Sequence, residues 1–166
     1  MDRSAEQNNS LGRRLTTAEI AGVLAFLLAT WVALVIVGLG VSSVLVDRDV
    51  ITDARAGVGL GPAMVFGALV AFALTLCISA FRRRKSGRTS SPSVAVSLLA
   101  MAVSYIGYVL TAFLGWVVFV PGNPADALPF ALHTALDWPS AIIAIASLAV
   151  ALGFFAYLPW RTRNIP

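Results

Sequence analysis

The chain has 166 residues, of which 58% are apolar and only 12% are charged, and its mean hydropathy is +0.85. About a quarter of the residues in a typical soluble domain are charged, so this composition excludes a soluble globular protein and predicts an integral membrane protein. The net charge of +4 would suggest nucleic-acid binding in a soluble protein, but here the positions of the basic residues indicate membrane topology.

Four apolar runs predict an all-α, antiparallel four-helix transmembrane bundle with up-down-up-down topology. The predicted helices cover residues 18–46, 62–81, 94–120 and 139–158. Together they form a membrane domain of residues 18–158, between a cytoplasmic tail of residues 1–17 and a second one of residues 159–166. The first run is too long for the core of a signal peptide, so we expect it to be retained as helix 1.

The loop between helices 2 and 3 determines the predicted orientation. Its basic residues are Arg82, Arg83, Arg84, Lys85 and Arg88. An excess of Lys and Arg in short loops marks the cytoplasmic side, so we predict that this loop and both termini are cytoplasmic. The cluster should also attract anionic lipid head groups, by roughly 1 kcal/mol per basic residue.

Small residues recur every four positions along helices 1 and 2. The two ridges consist of Ala21, Ala25, Ala29 and Ala33 on helix 1, and Ala63, Gly67, Ala71, Thr75 and Ser79 on helix 2. Such ridges let two membrane helices approach closely. We therefore expect helix 1 to pack against helix 2, although the same surfaces could equally join two copies of the chain.

Helix 3 carries a seam of polar and small residues that alternate four and three positions apart: Ser97, Met101, Ser104, Tyr108, Thr111 and Gly115. This period is typical of left-handed helix packing, and buried hydroxyl groups need hydrogen-bond partners. The seam should therefore point into the bundle. It is typical of hydrogen bonding between helices, and it is also compatible with a path for a ligand or water.

The segment 125–138 is apolar but interrupted by polar residues and prolines. We predict a short helix over residues 129–136 on the outer membrane surface, with a re-entrant segment or an extension of helix 4 as alternatives. Asp137, Trp138 and Pro139 then read as an N-cap, an interfacial aromatic residue and a first-turn proline.

His133 and Asp137 are the candidate proton or ligand site. On a continuous helix their spacing of four would place them on one face, where the carboxylate could orient the imidazole for proton transfer. They would then join three polar residues of the helix 3 seam, namely Ser104, Tyr108 and Thr111. If helix 4 instead begins at Asp137, both residues are interfacial and the aspartate is a cap. Two ligands are too few for a metal site.

The sequence contains no recognisable catalytic motif, and Cys77 is its single cysteine. We predict a non-enzymatic structural or accessory subunit of the plasma membrane, without a cofactor. Its expected partners are the lipid bilayer and either a membrane protein or a second copy of the chain. We expect no nucleic-acid partner. One alternative is a small transporter or proton-coupled carrier that uses His133 and Asp137; another is a lipid-modifying enzyme with this pair as acid and base. The dominance of Arg over Lys suggests a high-GC bacterium.

Overall fold

The computed structural model describes residues 17–47, 57–86, 94–120 and 124–163, and the side chains within residues 21–47, 59–82, 94–120 and 124–155. These parts form α1 (Thr17–Val46), α2 (Gly57–Ser86), α3 (Val94–Phe119), a 3-10 turn (Pro124–Asp126), α4 (Ala127–Leu136) and α5 (Trp138–Arg163). The first sixteen residues, Arg88 and the last three residues lie outside the described part, as do the side chains of Arg83, Arg84 and Lys85.

Four helical segments are long and apolar enough to cross a membrane: Ala21–Val46, Gly59–Arg82, Val94–Phe119 and Trp138–Phe155. The prediction of an all-helical protein with four such helices is confirmed.

Local sequence explains two helix ends. α1 stops at Val46 because Asp47 adopts the left-handed conformation, with φ of 51°, which aspartate tolerates better than most side chains and which commonly closes a helix. α2 begins at Gly57, five residues before the predicted start, and contains Pro62. Pro62 is the sixth residue of this helix, beyond the first turn, where it cannot donate a hydrogen bond to the carbonyl four residues earlier, and the helix nevertheless continues to Ser86.

α3 lies at the centre of the helix packing. Its largest interface is with α2, the next with α5 and the third with α4, whereas α1 contacts mainly α5. The buried face of α3 includes Ser97, Ser104, Tyr108 and Gly115. The prediction that the polar seam of helix 3 points inward is therefore confirmed.

The prediction that helices 1 and 2 pack together through their small-residue ridges is wrong. The ridge of α2 packs against α3: a Cβ atom added to Gly67 would overlap Thr111, and one added to Gly107 would lie 2.6 Å from Ala71 Cβ. The matching ridge of α1 is exposed along its whole length, at Ala21, Ala25, Ala29 and Ala33. A small-residue ridge permits close approach of another helix, but here the ridge of α2 packs against Gly107 of α3 and not against α1.

The order of contacts gives the relative direction of two helix pairs. Gly67 of α2 meets Thr111 and Ala71 meets Gly107, so residue numbers rise along α2 as they fall along α3. On α1, Trp31 bonds to Ser147, and Gly38 lies against Ile142. α1 therefore begins at the end of the molecule where α5 finishes.

Candidate functional site

A chain of buried hydrogen bonds connects four helices at the centre of the molecule. The indole Nε1 of Trp31 on α1 donates to Ser147 Oγ on α5, at 2.9 Å. Ser147 Oγ donates to Ser104 Oγ on α3, also at 2.9 Å, and Ser104 Oγ donates to the Ala68 carbonyl of α2, at 3.3 Å. We call these four residues the central polar chain.

The central polar chain satisfies the groups that form it. The hydroxyls of Ser147 and Ser104 each accept one hydrogen bond, and each has one proton to donate. The proton of Ser147 has a second possible acceptor, the Ile143 carbonyl, which lies 2.7 Å from Ser147 Oγ. A buried donor left without an acceptor costs about 1–3 kcal/mol, so the arrangement favours one register of all four helices. Trp31 also stacks on Phe72 of α2, with ring centroids 5.8 Å apart.

The remaining seam residues differ in their hydrogen bonding. Thr111 Oγ1 donates to the Gly107 carbonyl at 2.8 Å, within its own helix, and Thr75 of α2 makes the same kind of bond to Ala71, as its spacing predicts. Within the described part of the chain, Ser97 Oγ is buried without a hydrogen-bond partner. Ser104 is therefore the seam residue that connects different helices through its hydroxyl.

His133 and Asp137 do not share one continuous helix. α4 ends at Leu136, and Asp137 has an extended backbone with φ of −86° and ψ of 159°. Its Oδ1 accepts the backbone N–H of Trp138 at 2.8 Å, so the carboxylate takes up a free donor at the start of α5, in the manner of a cap. His133 is exposed, whereas Asp137 is half-buried.

The junction between α4 and α5 is held by hydrogen bonds to its backbone. The Ala135 carbonyl accepts bonds from Tyr105 Oη of α3 and from Ser140 Oγ, both at 2.8 Å. Ser140 Oγ also lies 2.7 Å from the Asp137 carbonyl. Tyr108, one turn further along α3, is buried and within electrostatic range of Asp137.

The described residues contain no group of three or more His, Cys, Asp or Glu that could hold a metal ion. Cys77 is half-buried and has a free thiol. The polar side chains around the α4–α5 junction include Asp137, Tyr105, Tyr108 and Ser140, and the imidazole of His133 is exposed.

A groove of about 570 Å³ separates α1 from α5 near the beginning of α1. Its lining is almost wholly apolar and includes Gly22, Phe26 and Leu34 of α1, with Ala149, Gly153 and Phe154 of α5. A Cβ atom added to Gly22 or Gly153 would meet nothing within 4 Å. The two helices are therefore apart here, whereas at Trp31 and Gly38 they touch. We call this feature the α1–α5 groove.

Sequence reasoning missed Ser147 and the α1–α5 groove. One signal for Ser147 was present: Ser140 and Ser147 are seven residues apart, so they share a face of α5. A second was Trp31, because an indole N–H in an apolar run needs an acceptor. No sequence signal marks the groove, because it arises from how two helices distant in the sequence are placed relative to each other.

These features define a class: a small all-helical protein with four helices long and apolar enough to span a membrane, joined by a buried polar chain. The family of unknown function DUF6121 matches residues 13–165, so the chain belongs to this family. No curated protein and no solved structure matches it.

Proposed function

We propose that the protein is a non-enzymatic structural or accessory subunit, inserted in the bacterial plasma membrane with four spans and both termini in the cytoplasm. The observation that carries this proposal is the central polar chain. The seam of α3 was compatible with either a ligand path or hydrogen bonding between helices, and the hydroxyl of Ser104 is used to hold α3 to α2 and α5. The polar interior thus serves the packing of the bundle.

The outward face of α1 supports an accessory role. The ridge of Ala21, Ala25, Ala29 and Ala33 is exposed, and α1 is attached to the other helices mainly through α5. In a membrane, such a ridge favours close contact with another helix. The proposed partner is therefore a membrane protein that presents a spanning helix to α1.

Photo-crosslinking in the native membrane tests this proposal. A photoreactive amino acid at Ala29 should give one discrete adduct with another membrane protein, and Ala25→Phe should remove that adduct by blocking close approach. The matched control is the same photoreactive residue at Leu110 of α3, which is 53% exposed and should not give the adduct. Identical adducts at both positions, no adduct, or adducts with a second copy only would overturn the proposal.

A second candidate is a small proton-coupled carrier, and the position of Asp137 favours it. This carboxylate is half-buried between α4 and α5, within electrostatic range of Tyr108. An ionisable group within a membrane span is a functional hypothesis by default, and Asp137 directly precedes the span that begins at Trp138. In this mechanism Asp137 would take up and release the proton, with Tyr108 within electrostatic range, while Ser104 and Thr111 would line the path.

Proteoliposomes with an imposed pH gradient test the carrier. Asp137→Asn should abolish proton flux while leaving the folded protein intact, because the amide cannot exchange the proton. Asp47→Asn is the matched control, since it removes one carboxylate at an exposed helix end where asparagine also tolerates the left-handed conformation. Equal flux in wild type and Asp137→Asn, or no flux above empty vesicles, would exclude the carrier.

A further inference from the structure

The short helix α4 carries a row of exposed leucines. Leu128, Leu132 and Leu136 are 58%, 57% and 91% exposed, and residues four apart lie on the same face of a helix. The other exposed side chains of α4 are Pro129 and His133. A helix that lies on a membrane surface turns a strongly charged face to the water, but α4 contains no Asp, Glu, Lys or Arg. No charged face is therefore available to hold α4 at the water.

Two contacts fix the level of α4 beside α3. Phe130 packs on Trp116, with ring centroids 4.4 Å apart, and Trp116 is three residues from the end of α3. The Ala135 carbonyl accepts the bond from Tyr105 Oη at 2.8 Å, and Tyr105 is fourteen residues from that end, about 21 Å of helix. Residue numbers thus rise along α4 as they fall along α3, so α4 runs from the end of α3 toward its middle.

The level of Tyr105 gives the depth of the α4–α5 junction in a membrane. α3 has 26 residues, about 39 Å of helix, and the hydrocarbon core of a bilayer is about 30 Å thick. Tyr105 is eleven residues from the start of α3 and fourteen from its end, so a spanning α3 places the Tyr105 backbone near the midplane. The Ala135 carbonyl is one tyrosine side chain away from that level. The end of α4 therefore lies well inside the leaflet in which α3 ends, which is the outer leaflet in the proposed topology.

The hydrogen bonds at the junction are those that a break inside hydrocarbon requires. The Asp137 N–H donates to the Thr134 carbonyl at 3.4 Å, and the Asp137 carbonyl accepts the N–H of Ser140 at 3.2 Å. Asp137 Oδ1 accepts the N–H of Trp138, and the Ala135 carbonyl accepts two side-chain hydroxyls. Non-helical backbone at membrane depth is tolerated only where its polar groups are satisfied without lipid, whereas water would satisfy them at the surface. The bonding at this break thus agrees with the depth that Tyr105 gives.

We propose that α4 is embedded in the outer leaflet beside α3, with its leucine row in contact with lipid acyl chains and the break at Asp137 below the membrane surface. Leu110 and Leu114 lie on the stretch of α3 beside α4, and each is 53% exposed. A spanning α3 turns these two side chains to acyl chains, so exposed leucines of α4 at the same level meet the same hydrocarbon. The inference rests on the membrane insertion in the proposed function and does not depend on the accessory role.

Spin labels at matched positions test the inference in the full chain, purified and reconstituted into phosphatidylcholine liposomes. Single cysteines replace Leu132 of α4 or Leu114 of α3 in a Cys77→Ala background, and each carries a nitroxide. Its collisions are measured with oxygen, which dissolves in hydrocarbon, and with a nickel chelate, which stays in water. Leu132→Cys and Leu114→Cys should both collide with oxygen and be shielded from nickel. Ala125→Cys, in the exposed turn before α4, is the control in water and should show the reverse.

The leucine row gives a second measurement, because its members are about 6 Å apart along the helix axis. If α4 runs inward, shielding from nickel should increase from Leu128→Cys through Leu132→Cys to Leu136→Cys. A helix that lies flat on the membrane would give three equal values and overturn the proposal. On α3 the order should be reversed, with Leu110→Cys better shielded than Leu114→Cys, because α3 runs in the opposite direction.

The outcomes separate this inference from the proposed function. Nickel access at Leu132→Cys beside a shielded Leu114→Cys would place α4 on the surface, while the insertion of the bundle would stand. Nickel access at both positions would refute membrane insertion, and the inference with it. Few collisions with either reagent at Leu132→Cys, together with spin–spin broadening, would mean that a second copy of the chain covers the leucines in place of lipid.

Discussion

The α2–α3 pair and the groove end of the α1–α5 pair both contain glycines, but these glycines have opposite surroundings. Between α2 and α3, Gly67 faces Thr111, Gly107 faces Ala71, and Gly115 receives the side chain of Leu60. Between α1 and α5, Gly22 and Gly153 face open space. In the first pair the missing side chains allow two backbones to approach closely, and in the second a groove lies beside them.

Glycine therefore permits close packing without causing it. In the α2–α3 pair each glycine is opposite a side chain of matching size, so dispersion contacts replace those that a Cβ would make. In the α1–α5 pair the helices are in contact at Trp31 and Ser147 and again at Gly38, which lies against Ile142, and they are apart at Gly22 and Gly153. The difference is testable, because the same substitution should have opposite consequences in the two pairs.

The largest effect is expected for Gly107→Ala. Its new Cβ would lie 2.6 Å from Ala71 Cβ and 3.2 Å from the Gly67 carbonyl oxygen, and neither atom belongs to a flexible side chain. α2 and α3 would have to separate, and we expect the free energy of unfolding to fall by about 2–3 kcal/mol. Thermal or denaturant unfolding in detergent would measure the loss.

Gly153→Ala is the control for that substitution. It adds the same methyl group where nothing lies within 4 Å, and alanine is the better helix former by about 1 kcal/mol. Unfolding stability should therefore stay the same or increase. A comparable loss in both variants would mean that the two helix pairs do not differ in packing.

A smaller effect is expected for Ser147→Ala. The substitution removes the acceptor of Trp31 Nε1 and the donor to Ser104, and an indole N–H would remain buried without a partner. Hydrogen bonds between membrane helices contribute modestly, so we expect a loss of about 1–2 kcal/mol. A double-mutant cycle with Trp31→Phe should show coupling between the two residues; simple additivity would mean that the observed bond contributes nothing.

The smallest effect is expected for Tyr105→Phe. It removes the bond to the Ala135 carbonyl, which retains the bond from Ser140 Oγ at 2.8 Å. The loss should be about 0.5 kcal/mol and confined to α4 and its junction with α5. Hydrogen exchange should thus become faster in residues 127–136 and stay unchanged in α2. Faster exchange in α2 as well would instead mean that this junction unfolds together with the core that α2 and α3 form.

The sequence predicted which face of α3 is buried but not which helices pair. Ser104 and Tyr108 interrupt an otherwise apolar helix. Their hydroxyl groups need hydrogen-bond partners, which the interior of the bundle offers and lipid does not. The ridges of α1 and α2 have the same spacing, and short segments connect α1 to α2 and α2 to α3 alike. Periodicity describes one helix at a time, so it could not show that Gly107 would be opposite Ala71.

The α4–α5 break was predictable in part. Pro139 and Asp137 together indicated a new helix start, and α5 begins at Trp138. The bond from Tyr105 to Ala135 joins residues 30 positions apart, and such a contact depends on the tertiary arrangement of α3 and α4. For the same reason, the sequence left open whether His133 would face the core, and the structure places it on the surface.

The bond between Trp31 and Ser147 also has a consequence for biosynthesis, because it joins residues 116 positions apart. Chains are made from the N-terminus, so α1 is synthesised before α5 and its indole N–H lacks this acceptor until α5 has emerged. α2 and α3 meet through residues only 36 positions apart, Ala68 and Ser104. α1 is thus made before α2 and α3 but fixed after them, and a chain truncated before Ser147 would leave α1 held by contacts such as the stacking of Trp31 on Phe72.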